Sequence, residues 1–293
     1  MKAIVLIFGL ILLFGCVTVP TQPAGEQEAV TGAETAEEIP EEPVVVTIPV
    51  EEEEEEEEPP VVEEEEDPLE LINHKEMTFD ATDGWKIYGT VYYATSDTPK
   101  ILIMLIPMKE QDRSSYDELV PLLHDAIPSA DVVALDMRGQ GKSTNLGIHD
   151  NFQTGDFRAM KNDLKAVRSY YSVGRPSVDT IYLVGASIGS SAAIDYAEET
   201  GEVAKVVMLS PGISYSGFDI EDYVELYLHE LYIVSASEDS YSANSANQIY
   251  YLSPSDTREL KLYYGTSAHG TDLFDATEDS ADPLLEKTVN WLK

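Results

Sequence analysis

The sequence has a single cysteine in 293 residues, Cys16, which excludes any disulfide within the chain. Basic residues are scarce: 18 Lys and Arg stand against 55 Asp and Glu, a formal net charge of −37. Nucleic acid is thereby excluded as a partner, since phosphate contacts need clustered Lys and Arg. No pair among the five histidines shows metal-ligand spacing, so no metal site is read. No internal repeat is visible, which sets repeat architectures aside. What remains is an acidic chain long enough for one large domain or two small ones.

The lone cysteine has an informative position. Met1 to Val19 reads as a targeting segment: Lys2 gives a positive start and Ala3 to Phe14 is a nearly unbroken apolar run. The run ends at Leu13-Phe14-Gly15-Cys16, which resembles the lipobox of bacterial-type lipoproteins. That resemblance implies that Cys16 becomes the lipidated first residue of the mature protein. About 17 apolar residues is also the lower edge of a spanning helix, so an uncleaved anchor stays open. Either reading puts the rest outside the cytoplasmic membrane, because Lys2 precedes the apolar run and acid follows it.

Residues 20–70 read as a linker rich in Glu and Pro, with Glu51 to Glu58 uninterrupted. Such a stretch cannot bury enough apolar surface to offset its ordering entropy, so disorder is expected. Like charges and prolines keep it extended, as a solvated tether.

Residues 71–293 read as the folded domain. Glu76 to Ala81 and Trp85 to Tyr93 are strands around Asp83-Gly84, a hairpin signal. Ile101 to Ile106 is a continuous apolar run, as for a strand buried on both faces. Helices are predicted over Ser115 to Ala126 and Asp156 to Tyr171, flanking a strand at Asp131 to Asp136. The strand Val203 to Leu209, the strand Leu231 to Ser235, the helix Ser242 to Leu252, the strand Leu260 to Tyr264 and the helix Pro283 to Leu292 follow. Strands alternating with helices predict a mostly parallel α/β sheet covered on both faces, with an antiparallel N-terminal edge.

The chemistry centres on Thr180 to Ala193. A short apolar strand enters a sharp turn, Gly185-Ala186-Ser187-Ile188-Gly189, and leaves as a helix of small residues. This is the layout of a nucleophile elbow, in which strain exposes the serine hydroxyl and glycines let strand and helix come close. A nucleophilic Ser187 needs a base, an orienting acid and an oxyanion hole. His269 is the only histidine in a Gly-flanked loop after a strand, and it is the candidate base. Asp239, ahead of Glu238, is the candidate acid. For the oxyanion hole the backbone N–H of Ile188 is one donor. The second comes from the loop after Ile106: Lys109, with Met108 the alternative. Arg138-Gly139-Gln140-Gly141-Lys142-Ser143-Thr144 ends like a phosphate-binding loop but lacks its first glycine, because Asp136 stands there.

Together these segments carry a resemblance to the α/β-hydrolase superfamily over about 220 residues. They are Asp136-Met137-Arg138-Gly139-Gln140-Gly141-Lys142-Ser143, the Gly185–Gly189 turn, Ala236-Ser237-Glu238-Asp239 and Ala268-His269-Gly270. The resemblance implies Ser187 as nucleophile, Asp239 as acid and His269 as base, with no cofactor. The interval Pro211 to Glu230, where relatives often insert a cap, is too short here for a full lid. Tyr215 and Phe218 in it either line the substrate pocket or pack the loop down, and Met108 is a further candidate for the pocket. The expected protein is a membrane-tethered serine esterase outside the cytoplasmic membrane, with a small-molecule ester or peptide as substrate. A serine aminopeptidase or amidase, and a non-catalytic binding protein of the same fold, are the alternatives. Oligomeric state is not legible.

Overall fold

The computed structural model describes residues 67–293. Cys16, the segment 1–19 and the acidic linker as far as residue 66 lie outside the described residues. The first described turn, 67–72, already packs Leu69 and Ile72 against the core.

The domain opens with an antiparallel hairpin, β1 (His74–Asp80) and β2 (Lys86–Tyr92), turned at Asp83-Gly84. Then come β3 (Ile101–Ile106), α1 (Leu119–Ala126) and β4 (Ala130–Asp136). Next are α2 (Thr154–Arg158), α3 (Lys161–Gly174), β5 (Thr180–Ala186), α4 (Ile188–Thr200) and β6 (Val203–Leu209). A small hairpin of β7 (Ser214–Tyr215) and β8 (Phe218–Asp219), followed by α5 (Glu221–Leu226), precedes β9 (Glu230–Ala236). The chain ends through α6 (Ser240–Leu252), β10 (Arg258–Tyr263), α7 (Leu273–Thr277) and α8 (Leu284–Leu292).

Eight strands form one sheet in the order β1-β2-β4-β3-β5-β6-β9-β10. Only the β1–β2 and β2–β4 pairings are antiparallel. This is the expected α/β-hydrolase architecture, with helices on both faces, an antiparallel N-terminal edge and, among the described residues, no large cap. The apolar run of β3 shows why both faces are covered. Successive side chains of a strand point to opposite faces. Leu102, Met104 and Ile106 therefore join the core under α3 and α4, while Ile103 and Leu105 join the one under α1 and α8.

Two predicted helices are broken. In place of one helix over Ser115 to Ala126 there is a 3-10 turn, Arg113–Tyr116, and then α1. Asp112 caps the turn through the Ser114 N–H, and buried Tyr116 ties it to the sheet by donating to Ile106 O at 2.9 Å. Starting α1 at Leu119 keeps Pro121 in the first turn, where its missing N–H costs nothing. The helix predicted over Asp156 to Tyr171 is divided into α2 and α3, which lets Phe157 pack edge-on against Phe152. The β7–β8 hairpin and α7 were not predicted; their segments are too short to show a period.

Candidate active site

The chain leaves β3 for β4 on one side, and the sheet resumes with β5 on the other. Open α/β sheets bind ligands in the crevice outside the carboxyl ends of their strands at such a reversal. Ser187 sits there, between β5 and α4. Its backbone has φ 51° and ψ −118°, a conformation that costs a non-glycine residue about 1–3 kcal/mol. The turn holds because Ser187 N–H donates to Leu209 O at the end of β6, at 2.8 Å.

The flanking glycines are required by contact. A Cβ on Gly185 would lie 2.5 Å from Gly189 O, and one on Gly189 would collide with Ile106 O. The same contact sets the loop after β3 against the first turn of α4. Ile188 opens α4, where helix N–H groups are unpaired and the dipole is positive. The N–H groups of Lys109 and Met108 also lack protein partners among the described residues. The loop that carries them is braced by Gln140, whose Oε1 accepts from Glu110 N–H at 2.7 Å. The Met108 side chain is buried and packs where a Cβ on Gly270 would stand, 2.5 Å from Sδ, so it supports the His269 turn and does not line the cavity.

Of the two candidate acids, the fold brings Asp239 to the histidine. His269 Nδ1 lies 2.6 Å from Asp239 Oδ2. A donating Nδ1–H leaves Nε2 as the free acceptor of the ring. Asp239 is the N-cap of α6, its other oxygen accepting from Ser242 N–H at 3.5 Å. Glu238 is exposed. The turn after His269 is anchored by Gly270 N–H, which donates to Ser210 Oγ at 2.9 Å. Ser210 is buried, at φ 48°, at the end of β6.

Ser187 and His269 face one cavity of about 160 Å³. No hydrogen bond joins them in this state. Catalytic hydrogen bonds are often long before substrate arrives. The elbow contributes Ser187, Ile188 and Ser191; the end of β6 contributes Ser210 and Gly212; β7 contributes Tyr215 and α6 contributes Tyr241 and Ser242. Of the two aromatic candidates, Tyr215 lines the cavity while Phe218 is 2% exposed within the core beside Ile220 and Val224. The correction follows from chemistry: an all-carbon ring gains most by burial, whereas a tyrosine keeps a polar tip at a rim. Ser191, Ser210, Tyr241 and Ser242 were missed, because no sequence spacing links them. The one local signal was Ser210-Pro211, a small polar residue at a strand's carboxyl end.

The Asp136–Ser143 turn is built inward. Asp136 accepts from the N–H groups of Arg113 and Lys142, and Ser143 Oγ donates to Asp136 O at 2.7 Å. Arg138 is buried between Asp163 and Asp83. Burial pushes the Asp163 carboxyl up to about 6, with Arg138 only partly offsetting it. Tertiary contact also assembles a group that spacing could not reveal: ligand atoms of Glu110, His149 and Asp150 lie within 4.8 Å of one another. The two acids are exposed, and His149 Nε2 is 3.0 Å from Asp150, so the group is a surface contact between an imidazole and carboxylates.

The family described as Serine aminopeptidase, S33, matches residues 98–248, which include Ser187 and Asp239 and stop short of His269. Among solved structures, an esterase of Pyrococcus furiosus is similar at 19% identity, over 80% of this chain and 97% of that one, with a TM-score of 0.61. A thermostable carboxyl esterase of Bacillus coagulans aligns at 13% identity over 75% and 98%, with a TM-score of 0.58. A dienelactone hydrolase of Anabaena variabilis aligns at 10% identity over 75% and 97%, with a TM-score of 0.58. Likenesses this remote speak to the fold. No curated protein matches the sequence.

Proposed function

From the premise that the chain belongs to the serine aminopeptidase S33 family, and is thus a hydrolase, we propose a serine hydrolase that cleaves esters by acyl transfer. The observation that carries the proposal is the short His269–Asp239 contact at a cavity walled by a strained serine. In the proposed mechanism His269 Nε2 takes the Ser187 proton as Oγ attacks the carbonyl. Asp239 holds the ring and favours the imidazolium that forms. The N–H groups of Ile188 and Lys109 receive the oxyanion; one such donor is worth about 3–4 kcal/mol of transition-state stabilisation. His269 then protonates the leaving alcohol, and a water molecule activated by the same ring releases the acid. No cofactor enters the cycle.

An aminopeptidase is the second reading, favoured by the family's description. Such an enzyme needs a carboxylate for the substrate's ammonium group. The cavity lining contains none; Asp239 lies behind His269 and is engaged by it. The ester reading is preferred for that reason. The site of action is proposed to be outside the cytoplasmic membrane, by way of Cys16 or an uncleaved anchor, on sequence alone. Metabolic labelling with a radiolabelled fatty acid, lost in Cys16→Ser, separates the two.

The decisive experiment is labelling of the protein with a fluorophosphonate, with the adduct mapped by mass spectrometry. The expected adduct is on Ser187, absent in Ser187→Ala and weak in His269→Ala. Activity on esters should fall under acidic conditions, because a protonated base cannot accept the serine proton. A folded protein that neither labels nor turns over any ester would instead be a binding protein.

A further inference from the structure

The cavity beside Ser187 is small and rich in hydroxyl groups. At about 160 Å³ it falls below the roughly 300–1,000 Å³ of clefts that bury drug-sized ligands. Its walls carry Ser191, Ser210 and Ser242 besides Ser187, and two tyrosines. Ser191 and Ser242 are each 1% exposed. Among the described residues neither hydroxyl has a hydrogen-bond partner, although Ser242 is bonded through its backbone N–H. Both residues line the cavity, so their hydroxyls are open to water or to a ligand group that takes its place. Here the two hydroxyls line the space next to the proposed nucleophile, one from α4 and one from α6.

The space is kept small by a clamp. Tyr241 on α6 reaches over to the β7–β8 hairpin, where its hydroxyl donates to Ser214 O and accepts from Ser214 N–H at 3.2 Å. Gly212 lies flat against the tyrosine ring; a Cβ there would be 3.0 Å from Cε1. The hairpin thus closes over the site where a cap would otherwise leave room for a long chain.

We infer that this site accepts a compact group bearing its own hydrogen-bonding oxygen or nitrogen, which Ser191 and Ser242 read. The inference rests on the serine-hydrolase reading above. A long alkyl chain does not fit the volume, and it would strip water from two hydroxyls without replacing the bonds. Two sources share the required chemistry: a short hydroxyacyl chain, or a polyol alcohol as leaving group.

The test is a set of matched esters: ethyl acetate, ethyl butyrate, ethyl octanoate, ethyl 3-hydroxybutyrate and glycerol monobutyrate. kcat/KM is expected to fall at least tenfold from butyrate to octanoate. One of the two hydroxylated substrates should exceed ethyl butyrate by about three- to tenfold, the worth of one neutral hydrogen bond. Preference for 3-hydroxybutyrate assigns the seat to the acyl chain, and preference for the glyceryl ester assigns it to the alcohol. In a Ser191→Ala/Ser242→Ala double variant that ratio should drop to about one. Tyr241→Phe, which keeps the ring and frees the hairpin, should raise the octanoate-to-butyrate ratio, and this remains readable if the serine variants fail to fold. Octanoate cleaved as well as butyrate, or a hydroxyl preference unchanged in the double variant, overturns the inference and leaves the hydrolase reading standing. Absence of both fluorophosphonate labelling and ester turnover sinks the two together.

Discussion

Two glycine-rich turns leave the parallel strands that flank β3, both at the carboxyl end of the sheet, and their polar atoms end in opposite ways. After β4, Asp136 to Ser143 binds inward. Asp136 accepts two backbone N–H groups, Ser143 Oγ bonds both Asp136 O and Tyr88 N–H, and Arg138 is sealed between two carboxylates. After β5, Gly185 to Gly189 binds only through its backbone. The Ser187 hydroxyl has no protein partner among the described residues and faces a cavity shared with His269. Both turns read as functional motifs on paper. A polar group satisfied within the fold serves as framework, whereas one held in a strained conformation and left unsatisfied is available for chemistry.

The largest expected effect breaks this contrast if it fails. Ser187→Ala should lower ester turnover by at least about 10⁴-fold, the order lost when a triad member is removed, while the melting temperature stays within a few degrees. Asp239→Asn should approach the same loss, about 10⁴-fold, by misorienting the imidazole. Esterase kinetics beside thermal melts of the same samples would check both. On the other turn the order reverses. Asp163→Ala removes both oxygens that accept from buried Arg138, and removing one partner of such a pair costs about 3–5 kcal/mol of stability. Urea unfolding should show it, with kcat per folded molecule nearly unchanged. Asp136→Asn, which replaces an acceptor oxygen by a donor facing N–H groups, should cost less, about 1–3 kcal/mol.

The smallest effect is one of pH. Burial raises the Asp163 carboxyl from 3.8 to about 6, so the folded state holds this proton more tightly than the unfolded chain. The resulting stability is fully present below the unfolded value of 3.8 and is lost as pH rises through about 6. The urea midpoint should decline over that interval, and the decline should be shallower in Asp163→Asn. An equal slope in both proteins would remove Asp163 from the account. Glu76 works in the opposite sense: hydrogen bonds from Lys142 and Arg113 hold its carboxyl below the ordinary value, so that contribution fades only under more acidic conditions.

Legibility varied with the range of the interactions involved. The predicted bounds of β3 and β6 are those observed, and the apolar run Ile181–Val184 lies inside β5, because a strand covered on both faces is apolar through most of its length. The helix predicted from Ser115 failed at Pro121 and Tyr116: one residue had to stay in a first turn, and the other found carbonyl partners on β3 and β5 that no local window contains. The β7–β8 hairpin escaped notice because two-residue strands have no period. Its turn, Ser216 and Gly217, both at positive φ, was the only trace. Ser187, Asp239 and His269 stood out because their turns have local demands. Phe218 and Tyr215 were indistinguishable until burial separated them.

By itself the sequence determined the parallel sheet, the strained turn and the acid–histidine order, since these follow from period, glycine placement and the chain's own direction. It also determined the acidic character of the chain. Tertiary structure alone decided which carboxylate meets His269, how small the cavity is and which hydroxyls line it. Those outcomes depend on contacts between residues 30 to 60 positions apart, such as Asp239 with His269 and Ser210 with Gly270. Packing sets such contacts, and local propensity carries no record of them.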